Sequence, residues 1–92
     1  MAKDLKWYQK RAKEGDLDAQ FQLAGIYERG DGAPQDIAEA VRLYQAAAEK
    51  GHADSQVNLS KIYYYGTGVP KDVIKAVEWI SKAAEKGHPE AQ

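Results

Sequence analysis

The chain repeats itself with a period of 36 residues. Gly15–Lys50 reads GDLDAQFQLAGIYERGDGAPQDIAEAVRLYQAAAEK and Gly51–Lys86 reads GHADSQVNLSKIYYYGTGVPKDVIKAVEWISKAAEK; the two align without a gap and agree at 16 of 36 positions. The agreements fall on the glycines, the proline, an Asp and the small and apolar positions. A period of roughly 20–50 residues means units that cannot bury their apolar face alone and must stack on neighbours. Partial copies flank the whole ones. Trp7–Glu14 aligns with Leu43–Lys50 and Trp79–Lys86, and Gly87–Gln92 with Gly51–Gln56. The 92 residues therefore read as one domain: a half repeat over 1–14, repeats over 15–50 and 51–86, and the start of another over 87–92.

Each unit reads as a hairpin of two helices, A and B. In helix A, Ala19, Leu23, Ile26 and Tyr27 recur at spacings that place them on one helical face, and Ser55, Leu59, Ile62 and Tyr63 repeat the stripe. In helix B the stripe is Ile37, Ala40, Val41, Tyr44, Ala47 and Ala48, then Val73, Ala76, Val77, Ile80, Ala83 and Ala84. Small side chains there let helix axes approach closely. Gly30 and Gly66 stand where a left-handed residue ends helix A, and Gly15, Gly51 and Gly87 close helix B. Asp36 and Asp72 stand at the N-cap of helix B; Asp16, His52 and His88 at that of helix A. These signals predict five helices, at about 3–14, 17–29, 37–49, 53–65 and 73–85.

The run Ala19-Gln-Phe-Gln-Leu23-x-x-x-Tyr27, the turn Gly30-x-Gly32-x-Pro34-x-Asp36 and the segment Ala40…Leu43-Tyr44…Ala47-Ala48-Glu49-x-Gly51 resemble the Sel1-like repeat family, relatives of the tetratricopeptide repeats. The second copy carries Leu59, Tyr63, Gly66-Thr-Gly68-Val69-Pro70-Lys-Asp72, Lys75-Ala76, Trp79 and Lys82-Ala83-Ala84-Glu85-Lys86-Gly87, and Trp7-Tyr8 belongs to the half unit. The resemblance implies an all-α fold, a right-handed α-solenoid of antiparallel helix hairpins. It also implies that the A helices line a concave side that receives peptides or partner helices. Ala24 and Ser60 stand where the family usually has glycine, and Arg11 where the later units have Ala47 and Ala83. A large cation does not fit a close helix–helix contact, so Arg11 marks a first helix with one side open to water. The other end has no such treatment: helix 73–85 leaves a flank that a following A helix, or another molecule, would cover.

Chemistry finds little support. A net charge of −1 with interspersed acids and bases argues against nucleic acid or an anionic membrane as partner. No apolar run approaches the ~20 residues that span a bilayer, and no leader pattern follows Met1, which favours a cytoplasmic setting. With no cysteine there is no disulfide or thiolate metal site. His52 and His88 lie 36 residues apart without a metal-ligand cluster around them, and read as helix caps. No serine has a lysine three residues on, and the Gly-x-Gly turns lack the rest of a phosphate loop. The expectation is no enzyme, no cofactor and no metal.

What remains is surface. Opposite the A-helix stripe lie Asp18, Phe21, Gly25, Glu28 and Arg29, replaced in the second copy by Asp54, Val57, Lys61, Tyr64 and Tyr65. The frame repeats while Gly25 becomes Lys61, Glu28 becomes Tyr64 and Arg29 becomes Tyr65. Tyr64 and Tyr65 have no duty in the repeat, and exposed tyrosines are favoured contact residues. Asp18, Gly25, Glu28, Arg29, Asp54, Lys61, Tyr64 and Tyr65 are thus the candidate protein-binding residues of an adaptor. The alternative is a structural unit that self-associates head to tail through its uncovered terminal helices.

Overall fold

The computed structural model describes residues 4–89 and 91. They form five helices and, among the described residues, no strand: α1 (Leu5–Lys13), α2 (Leu17–Arg29), α3 (Ile37–Glu49), α4 (Ala53–Tyr65) and α5 (Val73–Glu85). The last four have the bounds the sequence predicts. The first is shorter, because Asp4 is its N-cap and accepts from the Trp7 N–H at 3.0 Å; position 3 of the expected helix lies outside the described residues.

Local chemistry sets these boundaries. Asp16, Asp36 and Asp72 each accept a hydrogen bond from the N–H three residues on, satisfying a donor that the first turn leaves free. Gly30 and Gly66 end α2 and α4 in the left-handed region, at φ 69° and 71°. The N–H groups of Gly30 and Asp31 both return to the Ile26 carbonyl, and those of Gly66 and Thr67 to Ile62. The loop then folds back, and Asp36 N–H donates to the Tyr27 carbonyl at 2.8 Å, as Asp72 does to Tyr63 at 2.9 Å. The cap of each B helix is thereby fastened to the end of its own A helix.

Consecutive helices run antiparallel. Gln20, early in α2, donates to the carbonyl of Ala12, late in α1, while Gln9 donates to the Tyr27 hydroxyl at the far end. Gln56 repeats the first bond to Ala48 at 3.0 Å. One core cluster runs through the stack from Ala12 through Leu23, Ala24, Ala40 and Tyr44 to Leu59 and Ile62. Ala47 and Ala83 are fully buried at positions where Arg11 is exposed and lies over the Trp7 ring at 5.1 Å. Trp7 is half-buried in a groove shared with Ala19 and Gln22 of α2. Tyr8 and Leu5, rather than Trp7, pack on the core.

Two burial expectations change. Ile26 is only half-buried, whereas its equivalent Ile62 is buried. The end of α2 that carries Ile26 faces the start of α1, and α1 begins at Leu5, the equivalent of Val41; α3 begins four positions earlier, at Ile37. Val73 and Val77, predicted in the α5 stripe, are exposed, while Val41 packs on the core. Val41 has α4 beyond it, and no described helix follows α5.

Candidate functional site

The predicted contact residues sit on the A-helix face that looks toward the following unit. In the first unit that face is bridged by hydrogen bonds, with Asp18 and Arg29 still exposed. Asp18 accepts from His52 Nε2 at 2.7 Å. The direction follows from the other ring nitrogen: Nδ1 accepts the Ser55 N–H as the helix cap of α4, leaving the proton on Nε2. Asp54 makes the same bond to His88 Nε2 at 2.5 Å. Glu28 accepts from the Tyr44 hydroxyl at 2.8 Å, and that hydroxyl accepts from Asn58 Nδ2 at 3.2 Å. Gly25 is buried, and the Arg29 guanidinium lies over it: a Cβ there would stand 2.8 Å from Nη1.

Gly25 therefore offers no contact surface of its own; the carboxylates of Asp18 and Asp54 accept hydrogen bonds from the next unit while staying exposed, and that of Glu28 accepts one from α3 of its own unit. Phe21 and Val57, read from the sequence as lying opposite the core, are corrected too. Val57 is buried, and Phe21 packs on the core with its ring 5.9 Å from Tyr44 and 5.3 Å from His52. An A helix touches the helices before and after it, so its buried sector is wider than one stripe.

Burial raises the Tyr44 pKa to about 12; the Asn58 hydrogen bond opposes this and the Glu28 carboxylate adds to it. The sign for stability follows from a folded value above the ordinary value of about 10. The contribution is fully present below pH ~10 and is lost as pH rises toward ~12. Tyr44→Phe is expected to cost about 1–3 kcal/mol, since Glu28 and Asn58 lose a partner, and to remove the highest transition in an alkaline ultraviolet titration. A titration with no tyrosine ionising late would contradict this.

Arg29, Lys61, Tyr64 and Tyr65 are exposed. Tyr64 and Tyr65 keep 50% and 73% of their surface open, with rings edge to face at 5.0 Å. Lys61 and Tyr65 line a shallow groove with Glu28, Asn58 and Thr67 between the ends of α2 and α4. With Tyr64 they also line a second, more apolar groove against Val77 and Ile80 of α5. Lys71 Nζ stands 5.8 Å from the Tyr64 ring. Four of the eight predicted residues, Glu28, Lys61, Tyr64 and Tyr65, thus come together around the C-terminal end of α4. Val77 and Ile80 were read from the sequence as core; the signal for them was the open flank of the last helix. Among the described residues no group of three or more His, Asp or Glu is placed to hold a metal, and no helix is long and apolar enough to cross a membrane.

A sequence model of the Sel1 repeat matches residues 5–16, 17–52 and 53–88. Comparison with curated proteins gave no match. Among solved structures, a Sel1 repeat protein from Oxalobacter formigenes is 37% identical with a TM-score of 0.91, over 95% of this chain and 36% of that one. A protective antigen of uropathogenic Escherichia coli strains with an SLR fold is 38% identical at a TM-score of 0.92, over 99% of this chain and 20% of that one. Helicobacter pylori cysteine rich protein B is 25% identical at a TM-score of 0.90, over 95% of this chain and 65% of that one. The chain thus spans only part of each.

Proposed function

This chain belongs to the Sel1 repeat family, non-catalytic repeat scaffolds that generally bind other proteins, and from that premise we propose that it is a protein- or peptide-binding adaptor whose contact surface centres on Tyr65. The observation that carries the reading is the exposure of the Tyr64–Tyr65 pair, at positions the repeat does not keep apolar, in a frame whose repeated apolar stripes are buried or half-buried apart from Val73 and Val77. Packed edge to face at 5.0 Å, the two rings present one joint aromatic surface. Lys61 and Lys71 add cations beside them, and Arg29 and Glu28 extend the surface toward α2. A groove of this size supports a weak or transient interface, below ~1,200 Å².

The test is a peptide-display selection on the intact chain, followed by binding of the selected ligands to two variants. Tyr65→Ala and Lys61→Glu are expected to weaken binding roughly tenfold or more, as loss of an aromatic anchor and a charge reversal do. Both residues are exposed, so the melting temperature should hold. Ligands that bind both variants as well as wild type would place the surface elsewhere, first on the loops at 30–35 and 66–71.

Head-to-tail self-association is the second reading, and the exposed Val73 and Val77 of α5 favour it. Charge opposes it. Helix α1 carries Lys6, Lys10, Arg11 and Lys13 with no acidic residue, and would meet the end that displays Lys61 and Lys71.

A further inference from the structure

A groove of about 450 Å³ runs over α2 between α1 and α3, on the side of the B helices and with a helix on each flank. Gln9, Ala12, Gln20, Leu23 and Tyr27 form its base. The next junction, between α3 and α5 over α4, keeps that base residue for residue, 36 positions on. The other lining residues all change: Lys13 becomes Glu49, Glu39 becomes Lys75, Arg42 becomes Glu78, Leu43 becomes Trp79 and Ala46 becomes Lys82.

The changed residues make a cover in the second junction and leave the first without one. Trp79 packs on the core cluster with Lys82 Nζ 4.6 Å from its ring, and Lys75 Nζ stands 5.2 Å from the Tyr63 ring. Under that cover Ala48, Gln56 and Leu59 keep 1%, 3% and 0% of their surface open. Their equivalents Ala12, Gln20 and Leu23 keep 7%, 9% and 5%. Leu43 and Ala46 have less reach than an indole and a lysine stem, and Arg42 is held along α3 by two hydrogen bonds to Glu39. The first junction thus has the base of the second and lacks its large ring.

We infer that this groove receives an aromatic side chain of a partner polypeptide, with an acidic residue beside the ring. The ring follows from Trp79, which shows what the shared base accommodates. An aromatic side chain buries about 150–250 Å², and Ala12, Leu23 and Leu43 offer it carbon to pack on. The acidic neighbour follows from charge. Lys13 stands on the α1 rim where the second junction has Glu49, and the Arg42–Glu39 pair on the α3 rim is neutral as a pair, so the rim attracts a carboxylate. This surface is separate from Tyr65; it adds a second contact to the adaptor reading and does not depend on it.

The peptide Gly-Ser-Glu-Trp-Glu-Ser-Gly tests it, titrated into the isotopically labelled intact chain and followed by amide chemical shifts. The signals of Lys13, Gln20, Leu43 and Ala46 should move, and replacing the peptide's Trp by Ala should weaken binding roughly tenfold or more. Leu43→Trp combined with Ala46→Lys supplies the cover of the second junction and should weaken binding by about tenfold or more, since the ring's place is then taken. The second junction carries both side chains on the same base, so the double variant should fold, and a thermal melt checks it. Lys13→Glu, at an exposed position, should weaken binding roughly threefold or more, and less in high salt. Should the double variant melt early, Lys13→Glu and the Ala peptide decide. Tyr65→Ala should change nothing. A Trp peptide that binds no better than its Ala version, or that binds the folded double variant as well as wild type, overturns the inference. Binding that is lost in Tyr65→Ala, with shifts confined to α4 and α5, puts the ring on the Tyr65 surface; that overturns this site and leaves the adaptor reading standing. A mass that grows with concentration, and stops growing in the double variant, assigns the groove to a second copy and overturns it as well.

Discussion

Leu59→Ala is expected to cost about 2–5 kcal/mol of unfolding free energy, the range for deleting a buried leucine's methyl groups and leaving a cavity. Leu59 has no exposed surface and belongs to the cluster formed with Ala24, Ala40, Tyr44 and Ile62. Its helix, α4, is held between α3 and α5, so neither wall is free to collapse into the space. The equivalent Leu23→Ala should cost less, because α2 has only the shorter α1 on its outer side. Small domains hold only about 5–15 kcal/mol in total, so Leu59→Ala removes a large share. Urea unfolding followed by circular dichroism measures both. A loss below about 1 kcal/mol for Leu59→Ala would contradict the register of the whole stack.

Gly68→Ala is expected to lose about 2–5 kcal/mol, by two separable causes. The residue has φ +74°, where a Cβ carries a cost of about 1–2 kcal/mol. That Cβ would also lie 2.2 Å from Ile37 Cγ2, an overlap that forces the first turn of α3 to shift, at roughly 1–3 kcal/mol. Gly32→Ala separates the causes. It is the equivalent position in the first unit, also at positive φ, but the nearest atom to its Cβ would be Ile26 Cγ2 at 3.9 Å. It should show the backbone cost alone. Pairing Gly68→Ala with Ile37→Ala should recover part of the overlap cost relative to the sum of the single changes. Equal losses for Gly68→Ala and Gly32→Ala would mean that Ile37 moves aside freely.

These two residues show what was legible beforehand. Leu59 is found by counting along one stripe, and the caps Asp16, Asp36, Asp72, Gly30 and Gly66 by reading three or four neighbours, because capping bonds close over that distance. The bounds of α2 to α5 follow from them. The contact of Gly68 with Ile37 crosses between units and has no local sign. The same holds for Asp18 and Asp54. Each accepts a hydrogen bond from a histidine 34 residues on while its carboxylate stays exposed. Gly25, chosen for its variability, is covered by Arg29, and Val57, chosen as outward-facing, is buried.

The sequence by itself determined the helices, their turns and their stacking as a repeated array, since a 36-residue period carries its capping and its apolar spacing in every copy. Only the tertiary structure decided which face of an A helix is seam and which is open. That depends on whether a further helix lies against it. The same position closes on Tyr44 as Glu28 and stands half open as Tyr64, because burial is set by the neighbouring unit rather than by the residue's own place in the repeat.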